Sequence, residues 1–277
     1  MKGRTLRLTL AAAVAIGLGA ASALVVPGQA LAAPSGAYVA MGDSYTSGPS
    51  IPPTVAPVCG RSGANYPSLV RQKLGSTPFN DVSCAGAVIQ NVVGGQISAV
   101  SASTKLVTVS IGGNDVGFPQ IVFGCGVRSV YTAPGAPCAT QFGPNGLANM
   151  ANAAAPRLLS LYKSIKARAP GAKVLVIGYP TVISPTTCPG GFSAGDTPYL
   201  AKAFAGINDM IKQQAEAAGV TYVDTASSSV GHGICAPVPD RWVENRTVTH
   251  AAAPWHPNEM SMTNTASQIV SAVGSAE

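Results

Sequence analysis

Only 10% of the 277 residues are charged, and no basic run alternates with aromatic side chains. The chain therefore lacks both the cationic stripe and the stacking platforms of a phosphate-tracking surface, which excludes nucleic acid as a partner. There is no C-x-x-C pair and no close cluster of Cys and His, so a structural zinc site is excluded. No internal repeat is present. A G-x-S-x-G elbow around the serine of G-D-S-Y (residues 42–45) is also missing, because Thr46 stands where the second glycine belongs. The last absence is local: the six residues before His256, H-A-A-A-P-W, contain no carboxylate.

The N-terminal stretch opens with Lys2, Arg4 and Arg7, runs apolar to Val26 and closes on Ala30-Leu31-Ala32. A basic start, an apolar middle and a small-residue exit describe a secretory signal peptide. Residues 1–32 are expected to be removed, give or take one residue, leaving 33–277 as a single domain with no stable membrane anchor. A core of that size is ample for one domain and short for two. Three of the 17 basic residues fall in the leader, so the mature chain carries 14 against 11 acidic residues, a net charge of +3.

All six cysteines, Cys59, Cys84, Cys125, Cys138, Cys188 and Cys235, lie in the mature part. Export to an oxidising, extracellular compartment implies three disulfides. Six cysteines allow 15 pairings, and the sequence does not choose among them. Sequential pairing would close three separate loops without threading, worth roughly 3 to 4 kcal/mol each in loop-closure entropy.

Five apolar, β-branched runs read as strands: residues 37–41, 79–83, 106–111, 173–178 and 220–224. Helical patterns lie between them, from Tyr66 to Leu74, weakly from Val88 to Ser101, from Leu147 to Arg168, and from Pro198 to Ala218. The last has Thr197 as its expected cap and Gly219 as its stop. A final helix is predicted to begin at Pro257. Strands alternating with helices predict an α/β fold, a single-domain, flavodoxin-like three-layer α/β/α sandwich with a five-stranded parallel sheet in the order 2-1-3-4-5. Segments 45–64, 116–144 and 181–196, rich in Gly, Pro and Ser, read as disulfide-stapled loops. Asn245-Arg246-Thr247 matches a glycosylation triplet that is common by chance.

Four short stretches follow strand ends, where ligands bind in open α/β sheets. They are G-D-S-Y with Ser44, C-A-G-A (84–87) with Gly86, G-G-N-D (112–115) with Asn114, and W-H-P-N (255–258) with His256. Each alone reads as a turn or a cap. In the expected strand order, however, the first strand lies between the second and third, so Ser44 would be flanked by Gly86 and Asn114. His232 and His250 sit in no such motif and read as structural.

Taken together and in this order, the four blocks resemble those of the SGNH or GDSL hydrolases. With its six cysteines, the chain is most similar to the secreted actinobacterial lipases and esterases of that family. The resemblance implies sequential disulfides, Ser44 as nucleophile, His256 as base, and an oxyanion hole of Ser44 N–H, Gly86 N–H and the Asn114 side chain. It also implies a lipid or other ester substrate and no cofactor; a monomer is expected. Phospholipase A, thioesterase or polysaccharide deacetylase activity could use the same site, whereas a non-catalytic binding module would be expected to have lost one of these residues.

Many relatives carry an Asp three residues before the histidine; this chain has Ala253 there. An imidazolium near a helix N-terminus is disfavoured, so the ring needs an acceptor. The expectation is a backbone carbonyl of the Ala252 to Pro254 run, Ala253 and Pro254 being the nearest, with Asp224 and Asp240 as distant alternatives. Asp43 and Asp115 are expected to brace their loops.

Overall fold

The computed structural model describes residues 37–131, 135–184 and 186–274. The expected leader, residues 1–32, lies outside them. In chain order the elements are β1 (Ala37–Gly42), α1 (Ser44–Ser47), β2 (Thr54–Ala56), β3 (Arg61–Ser62), α2 (Tyr66–Leu74), β4 (Phe79–Asp81), α3 (Ile89–Gly94) and β5 (Thr104–Ser110). They continue with α4 (Phe118–Tyr131), α5 (Pro137–Phe142), α6 (Gly146–Arg168), β6 (Lys173–Ile177), α7 (Asp196–Ala217), β7 (Thr221–Val223) and α8 (Glu259–Gly274).

Five strands form one parallel sheet in the order β4-β1-β5-β6-β7, the order expected from the sequence. Alternation along the strands divides the core in two, because successive side chains leave a strand on opposite faces. Tyr38 and Ala40 of β1 pack with Tyr66 and Val70 of α2 and with Met262 and Ile269 of α8. Val39 and Met41 face the other way, toward Val92 of α3, Leu158 and Tyr162 of α6, and Ile207 and Ile211 of α7. Both faces of the sheet are thus covered, which is why its inner strands β1, β5 and β6 read as largely apolar runs.

The disulfides pair sequentially, Cys59 with Cys84, Cys125 with Cys138 and Cys188 with Cys235. Four parts of the sequence reading need correction. Segment 45–64 contains the short antiparallel hairpin β2–β3. Segment 116–144 contains two helices: α4 buries Ile121, Val122 and Cys125 at helical spacing, a pattern obscured by Pro119, Gly124 and Gly126, and α5 begins on Pro137. Helix α7 starts at Asp196, ahead of Pro198, and Thr197 is not its cap but donates its hydroxyl to Ser193 O at 2.9 Å. Asp196 accepts the N–H groups of Cys138 and Ala139 at 3.0 Å, satisfying donors at the start of α5.

The last helix also starts later than expected, at Glu259, since Pro257 pairs with Val243 in an antiparallel bridge. Asn258 Oδ1 accepts Met260 N–H at 3.1 Å and acts as the cap.

Gly42 ends β1 at φ +151°, and a Cβ there would overlap Thr46 Oγ1 and the carbonyl oxygen of Ser110. Both neighbours belong to elements that cannot retreat without breaking the sheet edge. Gly42→Ala is therefore expected to destabilise the fold by about 1 to 3 kcal/mol, as overpacked cores do; urea unfolding measures it, and an unchanged midpoint would show that the edge can yield.

Candidate active site

The end of β1 is gripped from both sides. Gly42 exchanges two hydrogen bonds with the Gln96 side chain, at 2.8 and 3.0 Å, and its carbonyl also accepts Cys84 N–H at 3.1 Å. On the opposite side Asp43 N–H donates to Ser110 O at 3.2 Å. The chain then turns into α1, where the Asp43 carboxylate accepts Tyr45 N–H at 2.9 Å. Ser44, the first residue of this turn, is nearly buried. Its N–H has no hydrogen-bond acceptor among the described residues, as expected at a helix start.

Asp43 also accepts the Tyr179 hydroxyl at 2.6 Å, while Tyr179 Oη accepts Gly113 N–H at 2.8 Å. One relay thus ties together the ends of β1, β5 and β6. Burial pushes the Asp43 carboxyl up to about 7, against the pull of the Tyr179 and Tyr45 donors, and repulsion from Asp115 adds to the rise.

The connection after β4 approaches Ser44 through the turn Cys84–Ala87, closed by Ala87 N–H on Cys84 O at 3.1 Å. Gly86 takes φ +79° there, a left-handed conformation that glycine adopts at no cost. Its N–H also has no acceptor among the described residues. The connection after β5 reaches the same turn, Asn114 Nδ2 donating to Ala87 O at 2.8 Å. Next to it, Asp115 accepts Ile89 N–H at 2.9 Å and pairs with Arg157 at 2.9 Å. Burial raises the Asp115 carboxyl, with Ile89 and Arg157 opposing.

His256 arrives on the connection from β7 to α8. Its Nδ1 lies 2.7 Å from the carbonyl oxygen of Pro254. A carbonyl can only accept, so Nδ1 carries the proton and Nε2 presents a lone pair. Burial lowers the imidazole from its ordinary 6.5, partly offset by the bond to Pro254, so the ring is neutral at pH 7. The Tyr45 hydroxyl donates to Trp255 O at 2.7 Å, and the Tyr45 ring centroid lies 5.5 Å from that of His256. The histidine segment therefore rests on the residue next to Ser44. Among the described residues no hydrogen bond joins Ser44 Oγ to His256; both Ser44 Oγ and His256 Nε2 are without a partner.

A residue that the sequence reading passed over anchors this segment. Glu244, with a fully buried side chain, donates its N–H to His256 O at 3.0 Å. Its carboxylate accepts Thr249 N–H at 2.7 Å, His250 Nδ1 at 2.8 Å and Asn258 Nδ2 at 3.0 Å. Although burial opposes it, these donors hold the Glu244 carboxyl below its ordinary value. No motif announces Glu244, because its partners lie in irregular backbone on either side of the histidine. His250 belongs to this anchor, and His232 stacks on Trp242 with centroids 3.7 Å apart. Asp224 is occupied by its own turn, accepting Ala226 N–H at 2.9 Å and Ser227 N–H at 3.1 Å. Among the described residues no carboxylate hydrogen-bonds His256.

A cavity of about 170 Å³ opens beside Ser44 and Asn114 and runs inward between Phe118, Tyr179, Val182 and Phe204. A void of similar size can hold a benzene-sized apolar group. The arrangement offers an uncharged base, two free N–H donors and an amide on adjoining strand-end connections, and an apolar recess leading away from them.

Residues 40–260 match the sequence pattern of the GDSL-like Lipase/Acylhydrolase family. Lipase 2 of Streptomyces coelicolor is 34% identical over 288 residues, covering 98% of this chain and 97% of its own. Among solved structures, phospholipase A1 from Streptomyces albidoflavus NA297 is 30% identical with a TM-score of 0.74, covering 86% of this chain and 99% of that one. An extracellular lipase from Streptomyces rimosus is 27% identical with a TM-score of 0.73, covering 86% and 100%. With the family pattern spanning most of the chain and a lipase aligned over nearly its full length, the protein belongs to the GDSL-like lipase/acylhydrolase family, a family of serine hydrolases.

Proposed function

We propose that this protein is a secreted carboxylic-ester hydrolase that works through an acyl-enzyme, with Ser44 as nucleophile and His256 as general base. His256 Nε2 takes the Ser44 proton, and Ser44 Oγ attacks the ester carbonyl carbon. The carbon–oxygen bond to the alcohol breaks, and the imidazolium returns the proton to the leaving oxygen. Water, deprotonated by the same nitrogen, then attacks the acyl carbon; the bond to Ser44 Oγ breaks, the imidazolium returns the proton to Oγ, and the acid leaves. The oxyanion of each tetrahedral intermediate is held by Ser44 N–H, Gly86 N–H and the Asn114 amide.

The observation that carries this reading is the 2.7 Å approach of His256 Nδ1 to Pro254 O: since a carbonyl only accepts, the proton belongs on Nδ1 and Nε2 is left basic. The Pro254 carbonyl takes the orienting place that an acid fills in many triads, giving a Ser-His dyad whose imidazolium has no counter-charge. The apolar recess supports a fatty acyl group in the ester. Phospholipase A activity is the second reading, favoured by the similarity to the Streptomyces albidoflavus enzyme. Three disulfides and the leader-like N-terminus support export, with residues 1–32 removed and 33–277 acting as the mature domain.

An organophosphonate ester should form one adduct, at Ser44, located by peptide mass spectrometry; a labelled protein with Ser44 unmodified would defeat the mechanism. Asn114→Ala is expected to lower kcat by roughly 10² to 10³ with the fold intact, as loss of one oxyanion donor does. A loss below tenfold would remove Asn114 from the oxyanion hole.

The base must be neutral, and burial lowers its pKa. The profile of kcat/KM should therefore be flat at alkaline pH and fall on acidification with a midpoint below 6.5. Asp43, pushed up to about 7, titrates in the neighbouring range, so the midpoint is read in both the native protein and Asp43→Asn. A midpoint above 7 in Asp43→Asn would contradict a depressed His256.

A further inference from the structure

Six cations gather at one end of this sheet, and the exposed large apolar side chains gather toward the other. The last turn of α2 carries Arg71 and Lys73, and that of α6 carries Lys166 and Arg168. Lys105 and Lys173 stand in the opening residues of β5 and β6. In parallel crossovers the helices run back against the strands, so all six cations belong to the N-terminal edge of the sheet. The connections that carry Ser44, Gly86 and Asn114, at the C-terminal edge, hold few charges, and on the one that carries His256 the acids Asp224, Asp240 and Glu244 outnumber the bases Arg241 and Arg246. No charged residue lies between Asp43 and Arg61 or between Asp81 and Lys105, and only Arg128 between Val116 and Pro156.

In place of charge these connections expose apolar side chains. Val58 is 100% exposed and Val55 60% on the β2–β3 hairpin, Val93 is 45% exposed on α3, and Phe123 and Val127 are 73% and 42% exposed on α4. Each element adjoins the site. Cys59, next to Val58, is bonded to Cys84 and accepts Ala85 N–H at 3.0 Å, one residue from Gly86. Helix α4 starts with Phe118, whose ring lies edge-on 5.6 Å from Tyr45, and at Gly126 it passes Trp255. Phe123 and Val127, one turn apart, thus ride on a helix that spans from the neighbour of Ser44 to the neighbour of His256. The remaining exposed large apolar residues among those described, Val230, Val238 and Val248, lie on the connection that carries His256.

Resting on the ester-hydrolase reading above, we infer that the site-bearing end of the molecule docks on the surface of a lipid aggregate without net charge, seating Phe123 of α4 and Val58 of the hairpin in its acyl layer. Exposed apolar surface beside a site marks an interaction face, and here α4 carries both the exposed Phe123 and Phe118, which lines the acyl recess. An acyl chain could then pass from the aggregate into the recess with little exposure to water. Because these six cations sit at the far edge and acids outnumber bases on the connection that carries His256, attachment draws on apolar burial and not on attraction to anionic headgroups.

Partition is measured with Ser44→Ala, so that nothing is hydrolysed, on phosphatidylcholine vesicles with and without phosphatidylglycerol, at low and high salt. Binding to pure phosphatidylcholine, insensitive to salt, is expected. Phe123→Ser and Val58→Ser, each added to Ser44→Ala, should weaken it roughly tenfold each at unchanged melting temperature. With Ser44 intact, the same two variants should hydrolyse a dissolved short-chain ester at the native rate and an emulsified long-chain ester more slowly. Absence of binding, binding that requires phosphatidylglycerol and is lost in salt, or variants that partition like their parent would overturn the inference. Failure of the native protein to cleave the dissolved ester would instead count against the ester-hydrolase reading and leave the partition result to stand by itself.

Discussion

Pairing of β1 on both of its edges is the constraint from which the site follows. With β4 on one side and β5 on the other, three connections far apart in sequence must leave the sheet side by side. Asp43 N–H on Ser110 O and Cys84 N–H on Gly42 O continue both ladders one step beyond the strands. The Asn114 amide closes the ring by reaching Ala87 O. No binding energy is needed to gather these groups, because sheet pairing and the two sealed faces of the core have already fixed them. The disulfides act at the same edge, that of Cys59 with Cys84 tying the hairpin to the turn containing Gly86.

The histidine segment solves a different problem, since it arrives on irregular backbone from β7. Glu244 offers a fully buried carboxylate to Thr249, His250 and Asn258, which locks both flanks of the segment while leaving the imidazole to a neutral carbonyl. A carboxylate at Nδ1 would stabilise an imidazolium at rest. A carbonyl fixes the tautomer with a smaller effect of that kind, only partly offsetting the burial that depresses the pKa of the ring. In the proposed mechanism the charge formed on His256 faces the oxyanion opposite it, and among the described residues no carboxylate hydrogen-bonds the ring to share that role.

Much of this was legible in the chain because each feature has a local cause. The inner strands β1, β5 and β6 are largely apolar runs buried on both sides, and α2 is framed by Asn65, Pro67 and Gly75. The four motifs stand out because turns at strand ends draw on a small set of residue types. What stayed hidden has a nonlocal cause. Helix α4 is diluted by glycines and held by Cys125 to Cys138, so its apolar spacing was read as loop. Thr197 sits where a cap is expected, but the residue before it, Asp196, turns its carboxylate to a different helix, 57 and 58 positions earlier in the chain. Glu244 carries no pattern at all, since its importance lies in burial beneath residues that periodicity does not connect to it.

The central claim is that His256 needs no acidic partner, and removing the alternative carboxylates one at a time tests it most directly. Steady-state ester cleavage by Asp224→Asn and Asp240→Asn, each checked for an unchanged fold, is expected to stay within a few-fold of the native protein. A loss of roughly 10⁴ in kcat for either, the scale seen when a triad aspartate is neutralised, would contradict the account.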